Sequence, residues 1–269
     1  MIEPQTVLQK SRLAVLLKTR YMGRQIRFLD SVGSTNDVAR DLATQGAEQG
    51  LTVVAAQQTR GRGRGRRTWH SLPGAGLYFS VVLRPTLPAQ RCGLLSLAAS
   101  LAVAEALEKA TKLKVQLKWP NDVLVDGKKL CGILAESELM GDRVKFAVIG
   151  IGLNTNRTRA LGLPESVLAT ATWLSDHTPT LPDEMKLLAA LLLALEKRYE
   201  ELEKSRGDQL VKAWKRRCVH LGREVRIAEG ETTLRGVAQD IAPDGSLVLE
   251  TPWGEVRHIL AGDCHLLPG

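Results

Sequence analysis

The sequence predicts an α+β protein: a mixed β-sheet flanked by helices, followed by a small β-barrel. Three observations predict it. Strand-length apolar runs alternate with capped or amphipathic helical stretches as far as about Trp214. The 94–112 stretch "LLSLAASLAVAEALEKATK" and the 184–204 stretch "EMKLLAALLLALEKRYEELEK" are long enough to pack as helices against a sheet. After Gly222 the texture shifts to four short strand-like runs split by "AEGE", "PDGS" and "PWGE", the mark of a small barrel.

The elements follow in order. The basic stretch "QKSRLAVLLKTRYMGR" (9–24) reads as one helix laid over the sheet. In "DSVGSTNDVARDLATQG", Ser34 or Thr35 offers an N-cap, Asp37 sits in the first turn, Val38 and Leu42 share a face and Gly46 closes a short helix. "LTVVAAQQ" is a β-branched strand running into "TRGRGRGRRTW", and "LYFSVVL" is a buried strand. "VQLKWP", "VLVDGKKLCGILAESE" and "VKFAVIGIGLN" are strand segments, with Asp126-Gly127 as a hairpin turn between two of them. A second helix after residue 204 runs through Trp214. The expected division is a basic helix over 1–26, a main domain over 27–219 and the barrel over 220–269.

Charge narrows the function. The net charge of +8 resides in two places: residues 1–29 and 58–69 each carry five net positive charges, so the remainder carries two net negative ones. That distribution fits a local anion site better than a phosphate track. The four cysteines show no CxxC spacing, which points away from zinc and from a disulfide framework. No apolar run approaches the roughly 18 residues of a membrane span, and a cytoplasmic setting is expected.

Four motifs carry chemistry. Gly61, Gly63 and Gly65 let the backbone approach a ligand, and the interleaved arginines supply bidentate donors for carboxylate or phosphate. The same run is also compatible with a solvated basic loop or with an RNA contact, although only Trp69 is present for stacking. "KWPND" (118–122) sets a cation, a rigid turn and an Asn-Asp pair together; a plain capped turn, with Lys118 exposed and Trp119 in the core, fits as well. "KKLCGILAE" starts a strand at Lys129, and Gly132 clears space above its backbone. "GIGLN" ends a strand on Asn154.

Taken in this order, "GSTND", "QTRGRGRGRRTW", "PGAGLYFSV", "KWPNDVLVDGKKLCGILAE" and "VIGIGLN" resemble the biotin protein ligases, from about Arg27 to the end of the chain. The resemblance implies a class II synthetase-like sheet with an SH3-like barrel, and an enzyme that joins biotin to a lysine of a biotin carboxyl carrier protein. ATP and biotin would be the substrates, with Mg²⁺. It implies biotin contacts from Ser34, Thr35, Asn36, Gln58, Gly61, Arg62, Gly63, Arg64, Lys129 and Gly132. Nucleotide contacts would come from Arg62, Arg64, Trp69, Asn121, Asp122 and Asn154. Lys129, Arg64 and Lys118 would be the catalytic cations, and Asp122 a carboxylate for Mg²⁺. In the usual family loop, Gly-Arg-Gly-Arg-x-Gly-Arg-x-Trp, a glycine stands where this chain has Arg66. Arg62, Gly63 and Arg64 are therefore the expected contacts ahead of Arg66 and Arg67. A lipoate or octanoate ligase is the alternative within the superfamily, and an RNA-binding protein the distant one. Homodimerisation is compatible with the resemblance. The 26 residues before the match are too few for a winged helix, so no sequence-specific DNA binding and no membrane contact are expected.

Overall fold

The computed structural model describes residues 4–65, 67–205, 207–229 and 232–267. Seven strands form one mixed sheet: β1 (Ile26–Val32), β2 (Thr52–Gln58), β3 (Gly76–Leu83), β4 (Gln116–Lys118), β5 (Asp122–Val125), β6 (Lys128–Met140) and β7 (Arg143–Asn154). Their order is β1-β2-β3-β7-β6-β5-β4, with only β1 and β2 parallel. That single parallel pair needs a crossover, which α2 (Thr35–Thr44) supplies.

The side-chain period of two decides what each face carries. On β2, β3 and β7, Val53, Val82, Phe146 and Val148 point one way and pack under Ala39 and Ala43 of α2. Val54, Val81, Ile149 and Ile151 point the other way, into the main core under α3 (Gly93–Thr111) and α5 (Glu184–Ser205). Sandwiched between sheet and helices, α3 is apolar nearly all round; its buried Ser100 accepts from the Trp214 indole of α6 (Asp208–Lys215) at 2.9 Å. A short helix, α4 (Glu165–Thr170), follows β7.

The C-terminal sheet has five antiparallel strands: β8 (Glu224–Glu229), β9 (Thr232–Ile241), β10 (Leu247–Glu250), β11 (Val256–Ile259) and β12 (Asp263–Leu266), in the order β11-β10-β9-β8-β12. The sequence predicts four strands; β12 is the fifth, a four-residue strand formed by pairing with β8 rather than by its own pattern. This SH3-like unit shares one continuous core with the main sheet, through Val225, Ile227 and Leu247. Trp119 clamps the two by donating to the Gly245 carbonyl at 3.1 Å.

One further strand goes unread in the sequence, and one further expectation changes. Strand β1 escapes the pattern because Arg27 and Asp30 interrupt an edge strand that is only half buried. The N-terminal helix α1 (Pro4–Leu16) stops well before Arg24. Its end packs through Leu13 and Leu17; Arg12 pairs with Asp183, and Arg20 beyond it with Glu200. The turn after α1 is held by Glu196 of α5, whose carboxylate accepts from the backbone N–H groups of Arg20, Tyr21 and Met22 at 2.7–3.0 Å. Glu196→Ala leaves three amides without that acceptor, and a loss of about 2–4 kcal/mol in urea denaturation is expected. A loss under about 0.5 kcal/mol would mean that water replaces the carboxylate freely.

Among the described residues, no helix is long and apolar enough to cross a membrane.

Candidate active site

The cleft exists because α2 stops short. Where α2 covers β7, the cleft-side residues are Phe146 and Val148; beyond its N-terminus they are Gly150 and Gly152, and Gly152 pairs with Gly132 on β6. A side chain at any of the three would collide with what lies above. A Cβ at 150 would stand 2.1 Å from Asn36 Oδ1, at 152 2.4 Å from the Trp69 ring, and at 132 2.9 Å from the same ring. The result is a flat backbone floor under the cleft.

One end of the cleft is a polar network at the start of α2. Ser34 occupies the N-cap position, yet its side chain makes no capping bond. Thr35 donates its backbone N–H and its hydroxyl to Gln58 Oε1, at 2.8 and 3.0 Å, and Gln58 donates onward to Ser71 at 2.7 Å. Buried Ser80 donates to Asn36 Oδ1 at 2.6 Å, which fixes the orientation of that amide. Asn36 Nδ2 then donates to Glu136 at 2.7 Å.

Glu136, which the sequence does not single out, is the hub. It accepts both Nη groups of Arg62, at 2.9 and 2.6 Å, and Arg40 at 2.7 Å. Burial opposes its ionisation, but the bonds from Asn36 and Arg62 and the charges of Arg62 and Arg40 outweigh it and hold the carboxyl below its usual range. Arg62 also pairs with Asp37 at 2.8 Å. Arg62 therefore lines the cleft as a cation already matched by carboxylates, rather than as a free one.

The other end gathers the remaining cations. β6 carries a one-residue bulge opposite Val123 and Leu124, so Lys129 pairs with Leu124 while Gly132 pairs with Asp122. Without the bulge, Lys129 would share a face with Cys131 and Ile133, which are in the helix-side core. With it, Lys129 stands beside Gly132 on the cleft face, 2.6 Å from Asp122 and 5.4 Å above the Trp69 ring. Lys118, on β4 opposite Asp122, is half buried rather than exposed, while Trp119 is in the core as the turn reading expects. Burial lowers the Lys118 ammonium from its ordinary value; Asp122 opposes this and Lys129 adds to it. Asn121 donates across the turn to the Ile133 carbonyl at 2.6 Å.

The Gly-Arg loop turns inward. Gly61 does not line the cleft: it packs its backbone against Trp69, where a Cβ would stand 2.3 Å from the Trp69 carbonyl. Arg64 reaches across to the Gly262 carbonyl at 3.3 Å, and Arg67 pairs with Asp263 of β12. Arg67, placed second to Arg62 and Arg64 by sequence, lines the same cleft; Arg66 lies outside the described residues. Asp263, Cys264 and His265 complete the rim, so the barrel forms part of the site, which no sequence signal indicated. Asn154 sits apart. Its side chain donates to the Thr172 carbonyl at 3.0 Å in an adjoining pocket on the far side of Trp69, which reaches to Trp173 and α4.

Beside the cleft, His220 is buried, and that burial together with nearby Lys118 lowers its pKa to about 4 from 6.5. Between those values the unfolded chain binds the proton that the folded chain refuses. Its stability contribution is therefore full above pH 6.5 and is lost as pH falls toward 4. The expected acid loss is up to about 3 kcal/mol, and a His220→Leu variant should show a flatter Tm profile over that range. Parallel profiles would refute the assignment.

A mixed sheet with an SH3-like unit on its rim thus carries a cleft with a hydrogen-bonding end and a cationic end. Residues 28–154 match the biotin/lipoate A/B protein ligase family, and residues 220–267 match the biotin protein ligase C terminal domain. The bifunctional ligase/repressor BirA of Bacillus subtilis is 36% identical over 259 residues, covering 96% of this chain and 79% of its own length. The biotin–[acetyl-CoA-carboxylase] ligase of Mycobacterium tuberculosis is 36% identical, covering 89% of this chain and 88% of its own. The structure of the Aquifex aeolicus biotin protein ligase in complex with biotin and ATP superposes with a TM-score of 0.76 at 30% identity, over 91% of this chain and all of that one. The chain belongs to the biotin protein ligase family.

Proposed function

We propose that this ligase activates biotin with ATP, giving biotinyl-5′-adenylate and pyrophosphate, and then passes biotin to a lysine of a biotin carboxyl carrier protein. The observation that carries the reading is the convergence of Lys129, Lys118 and Arg64 around Asp122 at one end of a cleft whose other end is the Thr35–Asn36–Gln58 network.

The bicyclic head of biotin is neutral and hydrogen-bonding, and it suits the network end, with Ser34, Thr35, Asn36 and Gln58 as its partners and Gly63 and Gly132 giving it room. Its carboxylate then extends toward Lys129. There it attacks the α-phosphorus of ATP: two anions approach, and preorganised cations offset the repulsion as charge builds between them. Lys129 bridges the carboxylate and the α-phosphate, while Lys118 and Arg64 face the phosphates. The nucleotide packs on Trp69, near Asn121 and Asn154. In the second step the ε-amine of the carrier lysine attacks the acyl carbon, and AMP leaves with the electrons of the acyl–phosphate bond.

Among the described residues, no three metal-ligating side chains cluster. Asp122 is the carboxylate available at the phosphates, which fits a Mg²⁺ carried mainly by ATP rather than by a protein cage. When bound, that ion supplies charge neutralisation on the phosphate oxygens. In this reading residues 27–219 carry the chemistry and residues 220–269 complete the rim.

The test is ATP–pyrophosphate exchange. Exchange that depends on biotin and is absent with lipoate is expected; exchange driven equally by lipoate, or independent of biotin, would overturn the reading.

The loop gives a second test. The mixed anhydride hydrolyses readily, so it must be retained until the carrier arrives. Arg64→Ala removes the contact between the loop and Gly262 without touching the core. Unchanged Tm is expected, with roughly tenfold or greater loss of adenylate affinity and indiscriminate labelling of bystander proteins. Unaltered carrier selectivity would count against a retaining role for the loop.

A further inference from the structure

A second groove adjoins the cleft. It lies between strands β4 and β5 and the barrel and is lined by Lys114, Lys118, Arg223, His220 and His265, with Asp126 as the carboxylate among its lining residues. Lys118 and His265 line both this groove and the cleft, so the two adjoin across these side chains. Lys114 and Arg223 form no ion pair with a described carboxylate, and Asp126 lies beside His177 at 3.5 Å. Nδ1 of buried His220, on the inner wall, has no hydrogen-bond partner among the described residues.

We propose that this groove is an exit site for inorganic pyrophosphate, an inference that rests on the adenylation reading above. When the carboxylate oxygen of biotin bonds to the α-phosphorus, the bond from that phosphorus to the bridging oxygen breaks, and its electron pair leaves on pyrophosphate. Two demands then conflict. The adenylate must stay, so the loop remains pinned to the barrel through Arg64 and Gly262 and through Arg67 and Asp263. Pyrophosphate must go, because its return reverses the reaction and consumes the adenylate. A row of cations that runs from half-buried Lys118 at the cleft to exposed Lys114 and Arg223 satisfies both. It draws the polyanion away without opening the loop.

The experiment compares the full chain with a Lys114→Ala/Arg223→Ala double variant, both residues lying outside the catalytic set. Pyrophosphate is titrated calorimetrically into each protein, and the pyrophosphate concentration for half-maximal exchange is measured beside the KM values for ATP and biotin. Loss of one charge-assisted contact is worth about tenfold in affinity. The expected result is weakening of pyrophosphate in both assays by tenfold or more, with both KM values within twofold and Tm unchanged. Unaltered pyrophosphate affinity overturns the proposal. A parallel rise in the KM for ATP overturns it too, by showing that the groove holds the triphosphate of the substrate. So does a raised KM for the carrier with pyrophosphate unaffected, which marks the groove as a dock for an acidic protein face. If the wild-type chain gives no biotin-dependent exchange, the adenylation reading fails; the calorimetric titration still decides whether the groove binds pyrophosphate.

Discussion

Lys129→Ala is expected to slow single-turnover formation of biotinyl-adenylate by two orders of magnitude or more. The ammonium stands on the cleft face between Asp122 and the Trp69 ring, where the attacking carboxylate and the α-phosphate meet in the proposed reaction. Its contact strengthens as negative charge concentrates between those groups, so it favours the transition state over the bound substrates. Losing one such preorganised partner costs on the order of 10²–10³ in rate. Lys128 provides the control: it is exposed at the start of the same strand, and Lys128→Ala should alter stability by no more than about 0.5 kcal/mol and leave the rate alone. Equal behaviour of the two variants in a quenched-flow assay would remove Lys129 from the bridging role and make Lys118 the next candidate.

Gly152→Val is expected to lower kcat/KM for ATP by about a hundredfold. A Cβ at 152 would stand 2.4 Å from the Trp69 ring, and the ring cannot slide toward Gly132, where the same limit holds at 2.9 Å. The indole must lift off the floor, taking with it a stacking surface worth roughly 1–3 kcal/mol to a nucleobase. Lys129, which rests above the ring, loses its seat as well. Because the proposed effect runs through one side chain, a double-mutant cycle tests it: Gly152→Val should add almost nothing to Trp69→Ala. Fully additive losses would show that the glycine acts through the sheet and not through the tryptophan.

What the sequence by itself determined is the inventory and its order. Periodicity marked β2, β3 and β7 and the two long helices, because a strand buried on both faces or a helix packed between layers must be written in apolar residues along its own length. The motif residues were legible because each depends on local chemistry: glycines for approach, arginines for anions, the Asp126-Gly127 turn. The tertiary structure alone decided everything that depends on residues distant in sequence. β1 and β12 are strands because of their partners, the parallel β2 and the antiparallel β8. Glu136 is a hub only because Asn36 and Arg40 of α2 and Arg62 of the loop arrive around it on β6. The barrel joins the site through Arg64 and Arg67, almost 200 residues from their partners at Gly262 and Asp263. Lys129 shows the boundary most plainly. Strict alternation would send it to the face of Cys131 and Ile133, and the bulge on β6 returns it to the cleft. A bulge leaves no trace in hydrophobic periodicity, because it is a property of how two strands pair and not of either strand alone.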